Sequence, residues 1–333
     1  MLKVGVVGLG VGEKHAEAFL HNPHCEVVAL CDHSQEKALE VRSRLGCDGA
    51  RIVRHADELL SAPDIDVVAI ATFDDDHAEQ VELAWNHGKH VFVEKPLCMH
   101  TTELDRLWAL HLERPTLQLS SNLILRMSPR FRELRDWIRN GRLGRLYYLE
   151  GDYDYGRLHK ITEGWRGKLP FYSITHGGGV HVIDLLMWLA GERIVEVEAM
   201  GNAIASAGSG FRFQDCVIAI ARGERGTLFK VTSNFACVKP HFHRVSVYGT
   251  LGTFENGWPD GRLYESRDPA VAPQAISTPY PGTHKGDLIA SFVDQVLGRG
   301  VAEVSLEDVF SSMRVALAVE RAKDLNTSIS IVF

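Results

Sequence analysis

Three short stretches of this chain bring together residue types that could do chemistry. In VGLGVGEKHAEAF (7–19), Gly8, Gly10 and Gly12 follow an apolar β-type run and open a helical pattern. Glycines so placed let the backbone turn tightly and let a pyrophosphate approach the free N–H groups of a helix N-terminus. In VFVEKPL (91–97), Lys95 closes a second β-type run. In THGGGVHVIDLL (175–186), three glycines lead into His181, with Asp184 three residues on. His181 is expected in the first turn of a helix, where the dipole disfavours imidazolium and keeps a neutral base available. Each stretch also has a plainer reading: a tight turn, a solvated lysine at a strand end, and a helix start with a buried histidine.

The glycine spacing, G-x-G-x-G, is one residue shorter than the usual G-x-G-x-x-G of dinucleotide sites. A second feature supports it. The next β-type run ends in Asp32, twenty residues past Gly12, where a carboxylate can accept hydrogen bonds from ribose hydroxyls. Asp32 would repel a 2′-phosphate and no arginine follows it in CDHSQ, so NAD is preferred over NADP. In an open α/β sheet ligands bind at the carboxyl ends of the strands, which points Lys95 toward the nicotinamide. A lysine in a partly dry pocket beside a cationic ring gives up its proton more readily, suiting it to proton transfer or to polarising a substrate oxygen. Pro96 stiffens that backbone and permits a cis bond that would aim the lysine.

Between residues 153 and 181 the chain reads YDYGRLHKITEGWRGKLPFYSITHGGGVH, rich in Tyr, Trp, Arg, Lys and His. Aromatic faces and forked donors suit a pyranose ring and its hydroxyls. Arg157, Lys160 and Arg166 could neutralise a phosphate or carboxylate on such a ring. Tyr155 and Trp165 complete the candidate set. The alternative is a solvated basic loop whose aromatics pack on a sheet.

These groups need elements to position them. Strand candidates lie at 4–9, 27–32, 66–72, 90–95 and 116–122, separated by helical patterns. Strands alternating with helices predict right-handed βαβ units and a doubly wound parallel sheet over residues 1–120. After a helix at about 128–140, residues 121–333 change rhythm. Six β-rich runs joined mainly by Gly-containing turns predict an open, mostly antiparallel sheet of five or six strands. Helices are expected at 284–297 and from Ser305, with Ser305 as N-cap and Asp308 three residues on. The fold class is therefore α/β in two domains divided near residue 120, the last helices packing on either one.

The bulk numbers exclude several classes. At 333 residues the chain can bury two cores. A net charge of −7 argues against a general nucleic-acid or anionic-membrane surface. The six cysteines show no C-x-x-C pair, which reads as reduced thiols in a cytoplasmic protein. No run approaches the roughly 20 apolar residues of a membrane span, and no residue is assigned to a metal.

Taken in order, the glycine start, the Gly12-to-His15 G-x-x-H, GKHVFVEKP, NLILRMSPRF (122–131), GRLGRL (141–146) and the G-x-H-x-I-D block near 180 resemble the Gfo/Idh/MocA oxidoreductase family. The resemblance covers nearly the whole chain. It implies a Rossmann domain followed by an α/β domain with a large open sheet. It also implies NAD(P), a sugar or polyol substrate, and homodimers or homotetramers formed through sheet faces. By position it makes Lys95 and His181 the catalytic pair. Val11, His15, Thr72, His77 and Glu94 join Gly8, Gly10, Gly12, Asp32 and Lys95 as cofactor contacts. Arg126, His176 and Asp184 join Lys95, His181 and the 155–166 group as substrate contacts. One departure stands out. Family members place an aspartate one helical turn before the histidine, and here that position is Gly177, leaving His176, Asp152, Asp154 or nothing in its place.

The expected reaction is oxidation of a secondary alcohol of a sugar held between Lys95 and His181. His181 takes the hydroxyl proton, and Lys95 positions and polarises the oxygen; the two roles could be exchanged. Two rivals accompany it: a glycosidase using tightly held NAD for transient oxidation and elimination, and a catalytically silent sugar-sensing regulator.

Overall fold

Short runs of Val, Ile and Ala with no polar face can sit only in strands covered on both sides, and the N-terminal runs do so. The computed structural model describes residues 1–333 and divides into two units, Met1–Ile124 with His284–Phe310, and Leu125–Thr283 with Ser311–Phe333.

The first unit alternates β1 (Leu2–Val7), α1 (Gly12–Leu20), β2 (Cys25–Cys31), α2 (Gln35–Leu45), β3 (Arg51–Val53), α3 (Ala56–Leu60), β4 (Val67–Ile70), α4 (His77–Asn86), β5 (His90–Val93), α5 (Thr101–Glu113) and β6 (Leu119–Ser121). The sheet order is β3-β2-β1-β4-β5-β6, and every pair is parallel. Strand order reverses between β1 and β4, so the crevice at a doubly wound switch point opens at their carboxyl ends. There the loops after Val7 and after Ile70 meet: Gly8 N–H donates to the Cys31 carbonyl at 2.8 Å, and Ala71 N–H to the Val7 carbonyl at 2.8 Å. Strand β3 escaped the sequence reading because three residues are too few to show a period of two.

The second unit carries α6 (Pro129–Arg139), β7 (Leu146–Asp154), α7 (His159–Thr162), α8 (Val180–Ala190), β8 (Ile194–Asn202), β9 (Cys216–Gly223), β10 (Leu228–Asn234), β11 (Phe242–Gly249), β12 (Thr253–Glu255), β13 (Gly261–Tyr264) and β14 (Gln274–Ile276). Its sheet has nine strands, in the order β14-β13-β12-β11-β7-β10-β9-β8-β15, the last being Ile329–Ser330. The β7–β10 pair is parallel and the others antiparallel. Nine replaces the expected five or six because β12, β14 and β15 are two or three residues long.

The helix expected at 284–297 begins only at Ile289, as α9 (Ile289–Val296). It belongs with the first unit, one of the two placements left open for the last helices. Phe292 lies 5.6 Å from the buried Phe92 of β5, ring to ring. A side chain at Gly286 would collide with Ala18 of α1. The closing helix α10 (Leu306–Leu325) starts with the expected reciprocal cap. Asp308 N–H donates to Ser305 Oγ at 3.1 Å, and Ser305 N–H donates to Asp308 Oδ2 at 2.9 Å.

Candidate active site

The crevice of the first unit is built from its glycines upward. Gly8 adopts φ +81°, and a Cβ there would strike the Ala71 carbonyl, so only glycine serves. A Cβ on Gly12 would sit 3.2 Å from Ala71 Cβ and Val6 Cγ1, which is the close helix–strand packing of this motif. Gly10 has no neighbour within 4 Å of where its Cβ would lie, and Val11 beside it is exposed. Two glycines shape the turn, and the third leaves open space at the start of α1. That is the form a pyrophosphate cradle takes, so the residues present fit a dinucleotide.

Asp32 stands at the end of β2 with its side chain almost wholly buried. Its Oδ2 accepts from Leu9 N–H at 2.8 Å and from Lys37 Nζ at 2.9 Å. Its Oδ1 accepts from Ser34 N–H at 3.1 Å. Burial pushes the carboxyl up, but the Lys37 ammonium and the two backbone N–H groups outweigh it and hold the group below its usual range.

At the end of β5, Lys95 is half-buried and the Lys95–Pro96 peptide is cis. The buried Glu94 carboxylate accepts from Asn122 Nδ2 at 2.6 Å, and His15 Nε2 lies 3.3 Å from the same oxygen. Burial raises the Glu94 pKa, but the bond from His15 and the charges of His15, Lys285 and Lys95 more than reverse this and hold it well below the ordinary carboxylate range. His15, expected to touch cofactor, is fully buried and supports Glu94 from beneath; its Nδ1 is buried without a protein partner. His77 is likewise buried, and its Nδ1 lies 2.7 Å from the Pro96 carbonyl. Since a carbonyl only accepts, Nδ1 carries the proton, and His77 braces the turn that carries Lys95. Thr72 Oγ1 donates to Gln80 Oε1 at 2.8 Å.

In the second unit the helix that carries His181 starts earlier than its first turn was expected to. Residues Thr175–Gly179 form a π-helical turn that runs directly into α8. Ser173 caps this longer helix, its Oγ accepting from Thr175 N–H at 3.1 Å and His176 N–H at 3.2 Å. His181 therefore lies well inside the helical run rather than in its first turn, and the dipole argument no longer applies to it. What frames His181 is an aromatic plate. Its ring lies 6.0 Å from that of Tyr153, with 15° between the planes.

The glycines admit side chains rather than only a ligand. A Cβ on Gly177 would run into the Tyr172 hydroxyl, one on Gly178 into the Tyr153 ring, and one on Gly179 into Ser233 Oγ. Val180 through Leu189 of helix α8 are all buried.

Several expected substrate contacts have other tasks. Arg126 and Asp184 are both buried and form a bidentate pair, Nε to Oδ2 at 2.8 Å and Nη2 to Oδ1 at 2.5 Å. Ser312 Oγ adds a third donor to Asp184 at 3.2 Å. This pair ties α8 to the 124–127 turn and to α10, which a spacing of i, i+3 from His181 could not reveal. His176 is buried beside Glu320. Burial raises the Glu320 pKa, and the charges of His176 and Lys323, with bonds from Lys323 and Ser173, reverse this and lower it. Asp152 and Asp154 point to the sheet face opposite Tyr153, as alternation along β7 demands. Asp152 is held by Lys230 at 3.1 Å and by Arg244, and Asp154 by Lys239.

The 155–168 stretch folds into α7 and a 3-10 turn at Trp165–Lys168. The Arg157 guanidinium lies 5.0 Å from the Tyr155 ring centroid, and that of Arg166 lies 4.4 Å from Trp165. Arg157 and Lys160 are exposed, whereas Tyr155, Trp165 and Arg166 are half-buried.

The sequence reading missed the rest of the plate. His241 and His243 approach Tyr153 at 5.0 and 5.3 Å between centroids, and Tyr155 stacks on it at 5.6 Å. His243 is directly opposite Tyr153 in the β7–β11 register, and its Nδ1 lies 2.6 Å from Tyr280 Oη. The available signal was the HFH triplet at 241–243, whose two histidines share one face at a period of two.

With this geometry in place, the comparisons with known proteins are specific. Residues 2–120 match the GFO_IDH_MocA model, described as an oxidoreductase family with an NAD-binding Rossmann fold. Residues 131–255 match the GFO/IDH/MocA C-terminal domain. The chain is 26% identical over 259 residues to a myo-inositol 2-dehydrogenase of Thermotoga maritima, covering 75% of this chain and 74% of that one. It is 27% identical over 310 residues to a 1,5-anhydro-D-fructose reductase of Ensifer adhaerens, covering 89% and 88%. A levoglucosan dehydrogenase solved in complex with NADH and L-sorbose has the same fold, with a TM-score of 0.85 at 18% identity over 100% of this chain and 99% of the other.

Proposed function

This chain belongs to the Gfo/Idh/MocA family of NAD-binding oxidoreductases, and on that premise we propose that it oxidises a secondary alcohol of a sugar, sugar derivative or polyol, or runs the reverse reduction. The observation that carries this reading is Lys95. It stands at the carboxyl end of β5, in the same unit as the glycine crevice, on a turn braced by His77 and beside a Glu94 carboxylate fixed by Asn122 and His15. Bound NAD supplies the hydride acceptor. Gly8, Gly10 and Gly12 hold its pyrophosphate and Asp32 its adenosine ribose. Lys95 positions and polarises the alcohol oxygen, and His181 takes the hydroxyl proton, its ring plane set by Tyr153.

The relatives' names support a cyclic polyol or sugar as the substrate class. Tyr155 and Trp165 offer aromatic faces to such a ring, and Arg157, Lys160 and Arg166 offer charge to a carboxylate or phosphate on it. Further assignments belong to the same reading: residues 1–120 form the cofactor domain, to which the 284–310 segment returns, the rest of residues 121–333 forms the substrate domain, and copies of the chain assemble through the outer face of the nine-stranded sheet. No helix is long and apolar enough to cross a membrane, and all six cysteines are free, which supports a reducing, cytoplasmic setting.

The test is incubation of the purified protein with NAD and a panel of inositols, aldoses, anhydro sugars, uronic acids and nucleotide sugars, following nicotinamide absorbance. Reduction with at least one polyol or sugar, abolished in Lys95→Met, is the expected result. Glycoside cleavage with no net reduction, or no turnover by any substrate while NADH binds, would overturn it.

A further inference from the structure

Tyr280 meets His243 at two points, and the pair decides where one histidine of the aromatic plate carries its proton. The Tyr280 oxygen accepts from His243 N–H at 2.9 Å and lies 2.6 Å from Nδ1 of the same residue. The His243 carbonyl accepts from Asn256 Nδ2 at 2.8 Å. Both main-chain groups are thus tied, and the buried imidazole is fixed at its root. Tyr280 is fixed as well. Its ring packs edge-on against Phe131 and Phe242 at 5.5 and 5.2 Å, and the Arg130 guanidinium lies 5.5 Å from its centroid. Arg130 is itself buried, donating to the carbonyls of Thr278, Gly257 and Pro259 and to Asn256 Oδ1 at 2.8–2.9 Å.

Two proton arrangements fit the short contact at Nδ1. In one, the phenol donates to a bare Nδ1. In the other, Nδ1–H donates to the phenol oxygen, and the phenol hydrogen needs a different acceptor. None stands there: Asn256 turns its amide nitrogen this way, its oxygen being taken by Arg130 Nη1 at 2.9 Å. A contact of 2.6 Å also falls below the usual N–H···O range and within that of a hydroxyl donor. The phenol therefore donates, Nδ1 accepts, and the one proton of neutral His243 sits on Nε2, pointing away from Tyr280. His243 shares the sheet face of Tyr153, its partner in the β7–β11 register, and Tyr153 is the ring on which His181 stacks. The plate then holds two imidazoles of opposite sense, His181 taking a proton and His243 offering one.

We infer that His243 is a specificity-determining residue, a fixed Nε2–H donor to the oxygen of a hydroxyl next to the carbon being oxidised, and that Tyr280 is the positioning residue that holds it in this tautomer. The substrate class narrows to sugars or polyols with vicinal hydroxyls. The inference rests on the proposed alcohol oxidation with His181 as proton acceptor.

Long-range proton–nitrogen correlation spectra of the intact protein, its histidines isotope-labelled and no substrate added, read the tautomer. The His243 signals are assigned by their loss in His243→Gln. The wild type should show a protonated Nε2 and a bare Nδ1, and Tyr280→Phe, which keeps the ring and deletes the donor, should shift the Nδ1 signal. A protonated Nδ1 in the wild type, or signals unmoved in Tyr280→Phe, overturns the tautomer and with it the donor. Kinetics on the panel sugar that reacts fastest, beside its monodeoxy forms, read the donor itself. Tyr280→Phe and His243→Leu should lower kcat/KM about tenfold on the full sugar, and less than about threefold on the form lacking the neighbouring hydroxyl. His243→Gln, whose amide can place an N–H near Nε2, should retain more activity than His243→Leu. Equal losses on both sugars overturn the donor role and leave alcohol oxidation by His181 standing. No turnover of any panel sugar by a wild type that binds NADH overturns both.

Discussion

The rings of His181 and Tyr153 lie 15° from parallel with their centroids 6.0 Å apart. One ring comes from a helix and the other from a strand of the sheet beneath it, so their stacking depends on how closely α8 lies on β7. Gly151 permits that approach, because a Cβ there would run into Val182. The proposed proton acceptor is thereby held by the core of the second unit rather than by a loop.

His181→Gln should lower kcat by roughly 10²–10⁴-fold on the substrate found by the panel, with NADH affinity unchanged by titration. Tyr153→Phe keeps the plate and should cost little, whereas Tyr153→Leu removes it and should lower kcat about tenfold or more. Equal turnover in Tyr153→Leu and wild type would show that the stacking does not position the imidazole.

The Arg126–Asp184 pair should reveal itself through stability rather than affinity. Removing one partner leaves a buried charge uncompensated, so Arg126→Met should cost about 3–5 kcal/mol in denaturant unfolding. The double replacement Arg126→Met with Asp184→Leu should recover much of that loss, because no charge then remains buried. A single variant with wild-type stability but a raised KM would return the pair to substrate binding.

Gly177 is held by packing, since the Tyr172 hydroxyl occupies the space of its missing side chain. Gly177→Ala should therefore destabilise the protein by about 1–3 kcal/mol through overpacking. Adding Tyr172→Phe, which deletes the colliding oxygen, should restore part of it. If Gly177→Ala melts at or above the wild-type temperature, the segment relaxes freely and the crowding has no energetic weight.

Glu94 gives a pH signature whose sign follows from its lowered pKa. A carboxyl depressed in the folded state contributes stability that is fully present above its unfolded value, about 4.3, and is lost as pH falls through the folded value. Melting temperatures should drop as pH is lowered from about 5 toward 3, and drop less steeply in Glu94→Gln, which still accepts from Asn122. Parallel curves for the two proteins would mean that Glu94 does not carry this linkage.

Much of the first unit was legible in the order of residues. A parallel sheet buried on both faces leaves apolar runs with no alternation, and the glycines, Asp32 and the Glu94–Lys95 turn all fall at strand ends that such runs mark. Local rules reach that far because the runs themselves mark where each strand ends. They failed where partners are distant in sequence. Arg126 and Asp184 are 58 residues apart, and Tyr153 meets His243 across a strand pair that no spacing announces. Neither the two-residue strand β15 nor the return of 284–310 to the first unit leaves a periodic trace. The sequence by itself determined the dinucleotide-binding fold of the first unit and singled out Lys95 and His181 as candidates. Only the tertiary structure decided that Asp184 is already neutralised, that Gly177 makes room for Tyr172, and that Asp32 shares its charge with Lys37, because burial and pairing are properties of neighbours brought together by folding.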